Sequence, residues 1–377
     1  MSRRILIALL VPLAVAVVVA GALVATAVTG DDDLPGTLEG DLPSMLEGDG
    51  RAAAQRFFAE YVEPDGRVVR RDQGGDTVSE GQAYAMLLAV ALEDPARFER
   101  VWSWTQRELQ RPDGLLSFLW RDGAVVDPQA ATDADLDAAH ALLLAADRFE
   151  RPDLGDEATR IGAAVLARET VAAGGDPLLV AGPWARTAPY AVNPSYIAPP
   201  AYTALGAATG DRSWERLAAA GRRLVADVTA PTTGLPPDWA RASQDGRVEP
   251  APAPGEPGPP RYSLDAARTF VRMARDCDSD GRALAAAADP FLRRAAQGGI
   301  ALAYSLDGRR LVEDQHPLGY VAAAAAAQAA DDPARAGELL DRAQRLQERF
   351  PTYYGGAWVA LGHAMLKTSA LGGCPTG

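Results

Sequence analysis

From about Arg51 onward, apolar residues recur at three- and four-residue spacing in segments of 11 to 20 residues, separated by Pro, Gly and Asp clusters. Alternating apolar and polar runs are nearly absent, so the pattern predicts an all-α body. Twelve helical segments are expected: Arg51 to Val62, Ser79 to Leu92, Pro95 to Gln110, Asp133 to Phe149, Leu154 to Ala173, Pro199 to Thr209, Ser213 to Val228, Ser263 to Arg275, Asp280 to Ala296, Pro317 to Ala330, Pro333 to Arg349 and Tyr354 to Leu371. Asp94-Pro95 and Asp332-Pro333 read as an N-cap followed by a first-turn proline, and Gly174 and Gly210 as glycines just past a helix end. Pro290 is expected to break or kink the ninth segment.

Twelve helices suit six helical hairpins closed into an (α/α)6 toroid in which alternate helices line the centre. The segments share no fixed-period signature, which argues against an open solenoid. Three long connections, Arg111 to Thr132, Gly174 to Ala198 and Thr229 to Tyr262, carry Trp120, Trp184 and Trp239 together with Tyr190 and Tyr196. Long loops of this kind build sites.

The first thirty residues stand apart. Arg3 and Arg4 precede an apolar run from Ile5 to Thr29, and Asp31 to Asp33 follow it, which is the polarity of an export segment. Its 25 residues favour an uncleaved anchor, although Ala25-Thr26-Ala27 offers a cleavage site. Residues 31–50 read as an acidic linker, 51–372 as the folded domain and 373–377 as a tail. The expected location is extracytoplasmic, secreted or held at the membrane through that segment alone. There, Cys277 and Cys374 can form a disulfide or remain two thiols.

The balance of 37 basic against 50 acidic residues gives a net charge of −13, and Lys367 is the only lysine. Nucleic acid is therefore excluded as a partner. Asp133-Ala134-Asp135-Leu136-Asp137 opens like a calcium loop, but Ala138 and Leu144 occupy the turn and bidentate positions. Asp276, Asp278 and Asp280 read as an acidic turn between helices. His140, His316 and His363 share no ligand spacing, so no metal or cofactor is expected. No Gly-x-Ser-x-Gly elbow is present.

Three acidic residues fall on first turns of even-numbered segments. Ser79 and Gln82 have capping-box spacing around Glu80, Asp133 follows Thr132, and Asp265 follows Ser263. Taken singly, each is an ordinary acid favoured by a helix dipole. In an alternating toroid, however, the even helices run the same way, so Glu80, Asp133 and Asp265 should meet on one rim. Asn193-Pro194-Ser195-Tyr196 would bring an aromatic hydroxyl to the same place.

Ser79 to Tyr84 with Met86 to Leu88, the stretch Ala131 to Phe149, Asn193 to Tyr196, Pro237 to Trp239 and Asp265 to Arg268 together resemble glycoside hydrolase family 8. Ala85, Phe118, Ala138 and Leu264 depart from the family's usual residues and leave the carboxylates intact. The resemblance implies an (α/α)6 barrel that hydrolyses a β-1,4-linked polysaccharide with inversion, and a monomer working without a cofactor is expected. It implies Glu80 as general acid, Asp265 as general base, and Asp133 as the carboxylate that grips the sugar at the scission point. Arg268 matches an arginine one turn after the base, and Tyr196 an aromatic hydroxyl near substrate. Trp120, Trp184 and Trp239 could stack on sugar rings or pack in the core. Inversion needs a protonated acid and a water-activating carboxylate about 6.5–9.5 Å apart, so the pKa of Glu80 has to be raised. An endoglucanase is the first expectation. Chitosan, xylan or mixed-linkage β-glucan as substrate, or a non-catalytic glycan-binding toroid, are the alternatives.

Overall fold

The computed structural model describes residues 45–374, so the export segment and most of the acidic linker lie outside the described residues. Within them, thirteen α-helices form: α1 (Gly48–Tyr61), α2 (Ser79–Ala91), α3 (Pro95–Glu108), α4 (Thr132–Arg148), α5 (Pro152–Arg168), α6 (Pro199–Thr209), α7 (Ser213–Val228), α8 (Leu264–Met273), α9 (Ser279–Ala286), α10 (Asp289–Gln297), α11 (Pro317–Ala329), α12 (Pro333–Arg349) and α13 (Tyr353–Lys367). The ninth predicted segment is split into α9 and α10, with Pro290 in the first turn of α10, where its missing N–H costs nothing. Predicted ends move elsewhere too. Residues 170–173, expected to finish a helix, form a strand, and Gly174 turns a β-hairpin instead of ending a helix.

Alternate helices close a ring. α2 packs on α4, α4 on α6, α6 on α8, α8 on α11, α11 on α13, and α13 returns to α2. α1, α3, α5, α7, the α9–α10 pair and α12 lie outside, giving an (α/α)6 barrel. Composition explains which helix takes which layer. In α2, α4, α11 and α13 apolar and small residues surround the axis, and nearly every side chain of α2 from Gly81 to Ala91 is buried. α3 and α12 instead bury one stripe, such as Phe98, Val101, Trp102 and Trp104. The alanine run from Ala322 to Ala327 is wholly buried, because small side chains let inner helices approach closely. A Cβ on Gly362 of α13 would stand 2.7 Å from a Val321 methyl of α11, so this crossing requires glycine. Asp94, Asp332 and Thr352 cap α3, α12 and α13 through their side chains.

Ten short strands brace the connections. β1 (Thr77–Val78), β2 (Leu119–Arg121) and β3 (Ala124–Asp127) pair ahead of α2, and β4 (Thr170–Ala173) pairs with β5 (Asp176–Leu179). β6 (Tyr190–Val192), β7 (Trp239–Ala242) and β8 (Val248–Ala251) form a third sheet, while β9 (Arg261–Tyr262) pairs with β10 (Tyr304–Ser305) ahead of α8. Most of these strands cluster where the chain enters inner helices, and they fix those entries.

The packed body also begins earlier than Arg51. Leu46 is buried and its amide donates to the Ala91 carbonyl, so the last residues of the expected linker belong to the core. At the far end of α8, the half-buried Arg275 donates to the carbonyls of Met365, Leu371 and Gly372, and a disulfide joins Cys277 to Cys374 with Cα atoms 5.2 Å apart. Asp276 and Asp278 share Arg222, which accounts for the acidic turn. No helix among the described residues is long and apolar enough to cross a membrane.

One buried feature has a measurable consequence. The Asp135 and Glu169 carboxyls lie together, fully buried beneath the start of α4, and Asp135 accepts the Leu116 amide at 2.7 Å. Burial pushes both well above the ordinary carboxyl range, and the charge of Asp135 raises Glu169 further, while the Leu116 amide and the hydrogen bond with Glu169 pull Asp135 part of the way back. A raised folded-state pKa gives stability that is fully present below the unfolded-state value and is lost as pH rises from there to the folded-state value, by about 1.4 kcal/mol per pH unit and group in between, with no further loss above it. Glu169→Gln should therefore match the native protein in thermal unfolding near pH 5 and exceed it at pH 9. Parallel pH curves for the two proteins would refute this assignment.

Candidate active site

The six inner helices start on one rim, and Glu80, Asp133 and Asp265 each occupy the second position of their helix, α2, α4 and α8. Tyr354 holds the same position in α13. The rim therefore gathers three carboxylates and a phenol from four helices of unrelated sequence.

Arg268, one turn into α8, ties them together. Its guanidinium donates to Asp133 Oδ2 at 2.5 Å, to the Tyr84 hydroxyl at 3.3 Å and to Asp265 Oδ1 at 3.1 Å. The second oxygen of Asp265 accepts the Trp239 indole N–H at 3.0 Å. Trp239 meets Tyr196 edge to face at 6.1 Å, and Tyr196 in turn lies under the guanidinium at 5.5 Å. One turn deeper, Arg272 makes two 2.8 Å bonds to Asp137. Asp133 and Asp137 on α4 thus face Arg268 and Arg272 on α8 as two buried rungs.

The environments of the three acids differ. Asp133 is 1% exposed, and burial raises its pKa against the pull of Arg268 and Arg272. The Asp265 side chain is 37% exposed and open to solvent on the cavity side. The Glu80 carboxyl is pushed up to about 8, first by loss of water around it and next by the negative charge of Asp133. Both effects oppose the helix dipole, which favours the anion.

Local sequence fixes these positions in ways that differ from the expected caps. Ser79 and Thr132 are first helical residues, not N-caps, and the capping box does not form. Gln82 points away from the helix start, accepting the Val68 amide at 2.6 Å and donating to Thr105 Oγ1 at 2.8 Å, so it pins α2 to α3 and the preceding loop. Thr132 donates to the Val180 carbonyl. Gly81 is required because a Cβ there would stand 2.5 Å from the Tyr353 hydroxyl. Asn193 accepts from both the amide and hydroxyl of Ser195, which sets the turn that presents Tyr196.

The tryptophans separate. Trp239 belongs to the site. Trp184 is 42% exposed and sits against Gly182, close to the entry of α4. Of the two expectations for Trp120, sugar stacking or packing, its contacts favour packing: Arg67 covers its ring at 4.5 Å, Trp104 of α3 packs edge to face at 5.4 Å, and its indole donates to Glu108.

Tyr84, Tyr354, Asp238 and the Asp137–Arg272 pair had been given no role in the site from the sequence. Tyr84 lies four residues after Glu80, Asp137 four after Asp133 and Arg272 four after Arg268, so one-turn spacing from each acid or base carried the signal. Beside Asp265 opens a cavity of roughly 570 Å³, with Asp238, Trp239 and Asp265 on one side and Pro252, Pro257 and Pro259 on the other. No cluster of His, Cys, Asp or Glu able to hold a metal occurs among the described residues, and His316 instead caps α11 through its ring nitrogen.

A helical toroid with an acidic rim of this geometry defines a carboxylate-dependent site on an (α/α)6 barrel. Residues 49–366 match the model for glycosyl hydrolases family 8, and the chain belongs to that family. A probable endoglucanase of Novacetimonas hansenii is 37% identical over 219 residues, covering 56% of this chain and 63% of its own length. An endoglucanase of Cellulomonas uda is 33% identical over 226 residues, covering 58% of this chain and 61% of its own. The chain thus spans about three fifths of the length of these relatives. An endo-β-1,4-glucanase structure from Acetobacter xylinum superposes with a TM-score of 0.73 at 30% identity, covering 84% of this chain and 98% of that one.

The coupling of Glu80 to Asp133 is directly measurable. A carboxyl-carbon NMR titration should find Glu80 half-protonated near pH 8, and Asp133→Asn should move that midpoint down by removing the second cause of the shift. A midpoint near the ordinary value of about 4.3 in the native protein would rule out the protonated state.

Proposed function

We propose that this protein is an exported endo-β-1,4-glucanase that cleaves β-1,4-glucan in a single displacement with inversion. The observation that carries the reading is the arrangement of a carboxyl kept protonated near neutrality, Glu80, and an exposed, hydrogen-bonded carboxylate, Asp265, on one rim with Asp133 between their helices. The names of the curated relatives and of the Acetobacter xylinum structure favour β-1,4-glucan over other polymers.

In this reading Glu80 gives its proton to the glycosidic oxygen as the C1–O bond breaks. Asp265 removes a proton from the water that attacks C1 from the opposite face. The products are a hemiacetal of inverted configuration and a free hydroxyl. Glu80 is left ionised and Asp265 protonated, and exchange with solvent resets both. Asp133, oriented by Arg268, accepts hydroxyls of the sugar at the scission point, and its charge keeps Glu80 protonated at the start of each cycle. Arg268 and Trp239 hold both oxygens of Asp265, so the base is set before substrate arrives, which lowers the cost of organising the transition state. Tyr196 borders the same point. Trp184 offers an exposed ring for a pyranose face further along the cleft. The Cys277–Cys374 bridge supports export, because cytosolic thiols are kept reduced. The segment 1–30 is the device for export, leaving the protein secreted or tethered, as a monomer that needs no cofactor.

Reducing-end release from carboxymethyl cellulose, barley β-glucan, xylan and chitosan tests this reading, beside Glu80→Gln and Asp265→Asn. Activity should be highest on the cellulose derivative, should fall by roughly 10³-fold or more in either variant, and in the native protein should decline as pH rises through about 8, where Glu80 loses its proton. Preference for another polymer would reassign the substrate, and native activity in either variant would remove that residue's role. The tryptophans give a separate check. Trp184→Ala should raise KM for polymer several-fold without lowering the melting temperature, whereas Trp120→Ala should lower stability by about 1–3 kcal/mol and leave KM unchanged.

A further inference from the structure

We infer that Asp238 is a positioning residue for the general base, acting as the N-cap of α8 from a distant strand entry; the inference rests on the reading of Asp265 as that base. Ser263 occupies the N-cap position of α8, yet its side chain makes no bond to the helix. Its hydroxyl turns away and donates to Asp238 Oδ2 at 2.5 Å. Asp238 Oδ1 accepts the amides of Ser263 at 2.7 Å and Ala266 at 3.0 Å. The Ala266 amide is the third of the helix, the one that an N-cap side chain ordinarily satisfies.

The two backbone bonds bracket Asp265, one two residues before it and one directly after it. Asp238 is itself fixed: its amide donates to the Arg261 carbonyl at 2.7 Å, and the Arg261 side chain lies 3.5 Å from its carboxylate. The next residue, Trp239, holds the Asp265 carboxylate directly. Two consecutive residues therefore fix the base, one through the backbone on either side of it and one through its side chain. Asp238 is buried, and nothing in the proposed chemistry requires it to touch the reacting atoms. A displacement of the base by a fraction of an ångström is sufficient to lower turnover while leaving sugar contacts in place.

The test compares Asp238→Ala and Asp238→Asn with the native enzyme and with Asp265→Asn, by kcat, KM and melting temperature on the preferred polymer. Asp238→Ala should lose roughly 10- to 100-fold in kcat with KM within about twofold. Asp238→Asn keeps an amide oxygen for the Ser263 and Ala266 amides and should recover most of that loss. Native kcat in Asp238→Ala, a rise in KM alone, or an equal loss in both variants would overturn the inference, the last because the cap acceptor survives in Asn. If Asp265→Asn itself stays active, the base assignment fails instead, and the two failures are thereby distinguished.

Discussion

The site depends on one buried ion pair. Arg268 of α8 reaches across the barrel to Asp133 of α4, helices that are not neighbours in the inner ring, and the same guanidinium holds Asp265 and Tyr84. Charges this deep are costly to dehydrate, and a buried pair is weak evidence for net stability, but removing one member strands the other at about 3–5 kcal/mol. Geometry, more than stability, is what the pair supplies. It sets the distance between two helix starts, and the deeper Asp137–Arg272 rung repeats the same span one turn down.

Three acids at the same helical position are made unequal by what surrounds them. Helix dipoles lower all three alike. Asp133 has Arg268 against it and almost no water, Asp265 has an arginine, an indole and solvent, and Glu80 has a neighbouring negative charge and partial burial. Glu80, whose carboxyl is pushed up to about 8, is the one of the three with no arginine bonded to it. Charge is thus distributed by the barrel's centre, and the rim inherits it.

Much of the ring was legible in the sequence. Period-3.6 segments located the helices, the layer alternation placed Glu80, Asp133 and Asp265 on one rim, and Pro290 marked the break between α9 and α10. The strands were not legible, because they are two to four residues long and pair with segments far away in the chain, as β6 does with β7. The roles of Ser79 and Gln82 were misread for a related reason: spacing suggested a local cap, but a buried glutamine found better partners in Val68 and Thr105. Asp238 lay in a recognisable stretch, Pro237 to Trp239, but its capping role gave no local signal, since the helix it caps starts 26 residues later in the chain. Trp120 and Trp184 show the same limit. Both sit in long connections, and only tertiary packing makes one a strut and leaves the other open.

Closure of the ring also shapes how such a chain can change. An open stack of repeats lengthens or shortens by whole units, because each unit needs only its neighbours. Here α13 returns to α2, so adding or deleting a hairpin would leave a gap or a clash all the way round. Variation is thereby pushed into the rim connections, and the proline-walled stretch between β8 and β9 is the part of this chain freest to be rewritten while the carboxylates stay where they are.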